Sequence, residues 1–324
     1  MKLHLLPLAS LFVIGGYLHA GAPLEAGKPI ALTGTHGRFD FLNIDSTRRR
    51  LLAAHTGNSS LDVIDLDKQT LIKSVATGAA QGSAIDSKGK KYFASVSKPA
   101  QMAIVDADSL ELVDKVPLPG EADVMAFDEA SGQAYVCHDE AKEVWVIDPI
   151  AKKIVATVEL PGAAPEDLGF DASFHRLFQN VKNSNTVAVI DPATNKVTEN
   201  WPTAPATGPH GMASVPESNA ILVVGGNGKL VLMSQKDGHV LSSVAVPERV
   251  DQIAYDAGKH RVYCASGTGK IGVAEVDGDK LKSLGEVPSE NGAHSIAVDP
   301  KTHTVWIAYA KGDASFVQPF TATE

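Results

Sequence analysis

Cysteine is nearly absent: two in 324 residues cannot build a disulfide framework. The folded state must therefore rest on buried apolar surface, and a hydrophobic content of 44% supplies enough of it. Positive charge is also scarce. Lys and Arg number 29 against 38 Asp and Glu, for a formal net charge of −9. That balance argues against nucleic-acid binding, which draws on clustered cationic side chains. The short basic stretches Arg48-Arg49-Arg50 and Lys88 to Lys91 read as solvated turns. Past the N-terminus no apolar run approaches the about 20 residues of a membrane span, so a membrane-embedded protein is not expected. Helical periodicity is missing, as are a c-type haem attachment motif and a legible Ser-His-Asp arrangement. Gly225-Gly226-Asn227-Gly228 has no helix pattern after it and reads as a hairpin turn rather than a phosphate loop.

The chain opens with Met1-Lys2, an apolar run from Leu5 to Tyr17, and Leu18-His19-Ala20 before Gly21. This is the pattern of a signal peptide over residues 1–20. It predicts a mature protein of residues 21–324 that is periplasmic or secreted. No cysteine follows the apolar run, so no lipid anchor is expected.

The remainder repeats. A short apolar strand ending in an acid recurs as Leu42-Asn43-Ile44-Asp45, Ser83-Ala84-Ile85-Asp86, Met125-Ala126-Phe127-Asp128 and Leu168-Gly169-Phe170-Asp171. A degenerate copy, Met212-Ala213-Ser214-Val215, precedes Ile253-Ala254-Tyr255-Asp256 and Ile296-Ala297-Val298-Asp299. A second, valine-rich strand follows each at a constant interval, as in Asp62-Val63-Ile64-Asp65 and Trp145-Val146-Ile147-Asp148. Unit three divides into four strands, Asp123 to Phe127, Gln133 to Cys137, Glu143 to Ile147 and Ile154 to Leu160, with turn residues between them. Seven four-stranded units predict an all-β, seven-bladed β-propeller forming one domain. The residue two before each acid is small or short, as at Ala84, Gly169 and Ala297, which suits strands crowded around an axis. The last unit lacks a fourth strand, and Lys28 to Gly34 is expected to supply it and close the ring.

Tyr135-Val136-Cys137-His138, Val262-Tyr263-Cys264-Ala265 and the Val-Ile-Asp strands at 63–65, 146–148 and 189–191 resemble the YVTN-type β-propeller repeat family, to which YncE-like exported proteins belong. The resemblance spans essentially all of residues 21–324 and implies the propeller fold. It does not select a function, because propellers host binding platforms, lyases, lactonases and quinoprotein subunits alike.

The residue five before each inner-strand acid is Asp40, Gln81, Asp123, Glu166, His210, Asp251 or His294. All seven are polar and six are ionisable, and a common phase would set them around one channel mouth, with Asp167, His138 and His55 in neighbouring loops. Such a ring is either a hydrated funnel or a ligand site. Glu166, His210, Asp251 and His294 form a donor set that a divalent metal ion accepts. The leading expectation is a non-catalytic binding or scaffold protein that holds a small polar ligand, a metal ion or a periplasmic protein partner at the mouth. The alternatives are a metal-assisted periplasmic lactonase or lyase, with His210 or His294 as base, and an accessory subunit of a periplasmic redox system. Cys137 and Cys264 occupy equivalent second-strand positions three blades apart, too distant for a disulfide, and are expected as buried free thiols.

Overall fold

The computed structural model describes residues 21–171 and 174–323; the predicted signal peptide lies outside them. Seven antiparallel sheets follow one another along the chain, and among the described residues there is no α-helix, only three short 3₁₀ turns. Blade 1 comprises Leu42–Asp45, Arg50–His55, Ser60–Asp65 and Thr70–Val75. Blade 3 comprises Ala122–Asp128, Gln133–His138, Glu143–Asp148 and Lys153–Glu159, within a residue or so of the predicted strands. Blade 2 runs from residue 80 to 117, blade 4 from 165 to 202, blade 5 from 209 to 245 and blade 6 from 250 to 288.

Blade 7 closes the ring. Its inner three strands are Ser295–Val298, Thr304–Lys311 and Ala314–Ala322, and the outer position is filled from the other end of the chain. Of the predicted strand Lys28 to Gly34 only Ile30–Ala31 forms, and a further short strand, Leu24–Ala26, precedes it. Leu24–Ala26 pairs with Phe320 to Ala322, and Ile30–Ala31 pairs with Phe316 and Val317. Gly27 sits between them, where an added Cβ would lie 2.9 Å from the carbonyl oxygen of Pro319.

Adjacent blades bury their alternating apolar faces against each other. Leu52, Leu61 and Val63 of blade 1 pack on Tyr92, Ala94 and Val105 of blade 2, and Leu42, Leu51 and Ile64 pack on Trp306 and Val317 of blade 7. Trp145 and Trp306 are fully buried in this packing.

The acid that ends every inner strand except Pro209–Val215 is structural. Asp45 accepts from the Arg48 amide, Asp86 from Gly89, Asp128 from Ala130, Asp256 from Gly258 and Asp299 from Lys301. A short carboxylate mimics the missing backbone acceptor of a tight turn, which is why the acid recurs at this position. Several also bind the next blade: Asp45 accepts from Tyr92 at 2.7 Å, Asp256 meets His303 at 2.9 Å, and Asp299 receives both guanidinium nitrogens of Arg49 at 2.6 Å.

Outer strands carry a bulge at one repeating position. Ile72, Val113, Val155, Thr198, Leu241 and Leu284 are each skipped in the pairing with the third strand. An interrupted ladder on an exposed edge blocks edge-to-edge pairing with another chain.

Candidate functional site

The opening turns of the inner strands are also bulged, and the bulge aims the ring residues. In blade 3, Asp123 and Val124 together face Cys137; in blade 4, Glu166 and Asp167 face Asn180. His210 and Asp251 occupy the same place in blades 5 and 6, and Gln81 is skipped in blade 2. Two residues opposite one turn the first side chain out of the blade and toward the axis. All seven predicted ring residues line one cavity of about 500 Å³ at the channel mouth.

Within it the side chains form two linked groups. Ligand atoms of Asp40, Asp251 and His294 all lie within 4.8 Å of one another, and so do those of Glu166, His210 and Asp251. Asp251 belongs to both. His294 Nδ1 lies 2.7 Å from the Asp251 carboxylate, an ion-pair approach. His210 Nδ1 lies 2.8 Å from the Gly208 carbonyl, to which it donates, and Nε2 lies 3.6 Å from the Glu166 carboxylate. Gln81 is held by the Thr56 hydroxyl at 2.7 Å.

Crowding of carboxylates out of water shifts their titration. Burial first, and the neighbouring Asp251 charge second, push Asp40 up to about 7. Burial together with Asp40 and Glu166 drives Asp123 well above the ordinary range, and that carboxyl has no hydrogen-bond or ion-pair partner among the described residues. Burial also raises Glu166, outweighing the opposing pull of His210 and Lys182. Burial works against ionisation of Asp251 too, but the adjacent His294 outweighs it and holds this group below its usual value. Burial alone would depress His294; its Asp251 partner raises it instead.

Two of the three auxiliary residues expected at the mouth are elsewhere. His55 is fully buried between blades 1 and 7: Nδ1 meets Asp62 at 2.7 Å, and Nε2 meets the Ser315 hydroxyl at 3.1 Å. This is a Ser-His-Asp arrangement that the sequence did not reveal, because Ser315 comes from the far end of the chain. All three side chains are sealed from solvent, so it fastens the ring closure and offers no route to a substrate. His138 stacks on Trp145 with centroids 4.5 Å apart and bonds Glu143 at 2.8 Å, outside the cavity lining. Asp167 does face the axis, one layer deeper, where it accepts the Met212 amide at 2.8 Å, and burial pushes it up to about 7.

Sequence reasoning missed Gln252, Asp139, Lys182, Arg249 and Arg38. Gln252 Oε1 accepts the amides of Leu42 (3.0 Å) and Ile296 (2.9 Å), and its Nε2 donates to the Leu42 carbonyl. It thus satisfies inner-strand edges on two other blades. Asp139 and Lys182 leave the second strand at the same offset from their ring residues, 123 to 139 and 166 to 182, so the repeat phase held the signal. Lys182 pairs with Glu166 at 2.9 Å.

The two cysteines are buried and unpaired, as expected. Burial raises both thiols, Cys137 against the polar contact of its Sγ with Gln179 at 3.1 Å, so neither is a poised nucleophile.

Fold and mouth together define a seven-bladed propeller with a carboxylate- and imidazole-lined axial opening. The chain belongs to the Cytochrome D1 heme domain family, which matches residues 29–250. It is YncE-like: the uncharacterised protein YncE of Salmonella typhimurium is 25% identical over 171 residues, 53% of this chain and 44% of that protein, and YncE of Salmonella typhi matches equally. The chain thus matches less than half the length of these curated relatives. Among solved structures, hydrazine synthase of Kuenenia stuttgartiensis superposes with a TM-score of 0.74 at 15% identity, over 88% of this chain and 97% of that one. The WD40 repeats of RRP9 superpose at 0.77 and 12% identity, over 91% and 100%. At those identities the likeness is one of fold alone.

The family name raises the question of a haem. The mouth does not fit one. A tetrapyrrole needs broad apolar surfaces, whereas the lining offers Phe41 and Val250 against Asp40, Asp123, Asp139, Glu166 and Asp251. A large apolar face would desolvate those carboxyls without replacing their water.

Proposed function

We propose that this propeller is a binding protein that takes up a divalent metal ion at its channel mouth. The observation that carries the reading is the position of Asp251, shared by two clusters that each join an imidazole to two carboxylates. Mixed nitrogen and oxygen donors suit zinc, manganese and related ions. Carboxyls held protonated near neutrality by burial would exchange that proton for the cation, which relieves their mutual repulsion. The varied loops at the mouth stand on seven rigid sheets, a common arrangement for recognition sites. The proposal also puts the protein outside the cytoplasm, on the strength of the Met1 to Ala20 leader pattern.

Calorimetric titration of metal-stripped protein with Zn²⁺ and Mn²⁺ tests the reading. Wild type should bind one ion with an affinity that drops at least about a hundredfold in Asp251→Asn, in line with the sensitivity of metal sites to their donors. Wild type that takes up neither ion overturns the proposal.

A further inference from the structure

Gly226 and Gly267 follow the second strands of blades 5 and 6, at the position held by Asp139 in blade 3 and Lys182 in blade 4. Neither glycine is required by its backbone, for neither has a positive φ. Packing does not require them either. A Cβ at Gly226 would meet nothing nearer than 3.7 Å, with the His210 ring at 3.8 Å, and a Cβ at Gly267 nothing nearer than 3.9 Å. Neighbouring Gly225 is different, since its Cβ would fall 2.6 Å from the Thr207 carbonyl oxygen. The two lining glycines therefore leave a wall bare of side chains beside His210 and His294, inside the cavity.

Arg249 stands at the edge of that wall. It lies two residues before Asp251 and adopts φ 56, in the left-handed region. Blades 5 and 7 put Gly208 and Gly292 at the same place, with φ 60 and 83. Blade 4 puts Ala164 there with φ 57, so the position admits other residues, but a long side chain in this region is conformationally disfavoured. Its guanidinium forms no hydrogen bond or ion pair among the described residues, although five carboxylates line the same cavity. Lys182 is already held by Glu166, and Arg38 lies 3.8 Å from Asp40.

We infer that Gly226, Gly267 and Arg249 form a subsite for a small organic anion that binds beside the metal ion, so that the ligand of this mouth is a carboxylate bridging cation and guanidinium. The inference rests on the metal-binding reading, because carboxylates alone would repel an anion until the cation neutralises them. Arginine supplies the planar, two-pronged donor that matches a carboxylate, and the bare wall supplies the room.

The test is a pair of titrations on wild type, Arg249→Gly, Arg249→Lys and Gly226→Leu. Zn²⁺ is titrated first, then oxalate is titrated into the protein loaded with one equivalent of zinc. Zinc affinity should fall by no more than about twofold in Arg249→Gly and Arg249→Lys, since neither replaces a proposed ligand, whereas Gly226→Leu sets its side chain against the His210 ring and is judged on oxalate alone. Oxalate should bind zinc-loaded wild type at least about tenfold more tightly than the metal-free protein, and that gain should vanish in Arg249→Gly and Gly226→Leu and fall in Arg249→Lys. Arg249→Gly relieves a left-handed backbone and serves as the variant least prone to misfolding. Oxalate binding that is absent from zinc-loaded wild type, or unchanged in Arg249→Gly, overturns the subsite while leaving the metal site standing. Failure of the first titration in wild type overturns the metal reading, and the subsite with it.

Discussion

The two ends of each inner strand use the same residue types to opposite effect. At the turn end, Asp45, Asp256 and Asp299 are surrounded by donors: amides of their own turn, then a tyrosine, a histidine or an arginine from the next blade. Burial works against ionisation of Asp299, yet Arg49 and the local hydrogen bonds outweigh it and hold the carboxyl down at about 2. At the mouth, five residues earlier in the repeat, Asp40 is buried and Asp123 partly buried, both with few donors, and desolvation with neighbouring negative charge pushes them up. Carboxylates with matched partners hold the ring together. Carboxylates without them cost stability, and on the proposed reading they are a reserve of binding capacity.

The largest effect should come from breaking the turn end. Arg49→Ala leaves Asp299, 1% exposed, without its ion-pair partner across the blade 1 and blade 7 closure. It should cost about 3 kcal/mol or more in denaturant unfolding. Asp123→Asn at the mouth should be neutral or stabilising at pH 8 in the same experiment, because it removes a carboxylate that gains nothing from folding.

The pH dependence should separate the ends next. A carboxyl raised to about 7 stabilises the fold fully below the unfolded value near 4, and that contribution is lost as pH rises through 7. A carboxyl lowered to about 2 contributes above the unfolded value and loses it as pH falls toward 2. Unfolding free energy of wild type should therefore decline between pH 5 and pH 8, and Asp40→Asn should flatten that decline without altering the acid limb. An unchanged slope in Asp40→Asn would remove Asp40 from the set of neutral-titrating groups.

The smallest effect belongs to the outer rim. Val113 is 50% exposed at an outer-strand bulge, and Val113→Thr should shift stability by no more than about 0.5 kcal/mol. Val116→Ala, on the buried face of the same strand, should cost more, about 1 to 2 kcal/mol by the same measurement.

Blade number, repeat phase and the convergence of the ring were legible in the sequence because each depends on period alone. The seven residues from Asp40 to His294 share one phase, and one phase in a closed ring means one opening. What escaped was whatever depends on joining distant segments. His55 read as a mouth histidine because it ends a second strand near the ring, but Ser315, 260 positions away, draws it into the closure. Gln252 drew no reading at all, since its role depends on the amides of Leu42 and Ile296, far away in the chain. The inner-strand bulges left no mark in composition, since they accept Val124, Asp167 and Gln252 equally. Gly226 and Arg249 were passed over for a related reason: a turn glycine and a surface arginine are unremarkable until the cavity between them is known.

Carbon-detected NMR titration of the aspartate side-chain carboxyls from pH 2 to pH 9 measures the contrast between the two ends without any mutation. Asp40 and Asp167 should titrate near pH 7, Asp123 higher than an ordinary carboxyl, and Asp299 should remain ionised down to about pH 2. Mouth carboxyls that all titrate between about pH 3 and 4.5, alongside Asp299, would contradict the division of labour on which the proposed site depends.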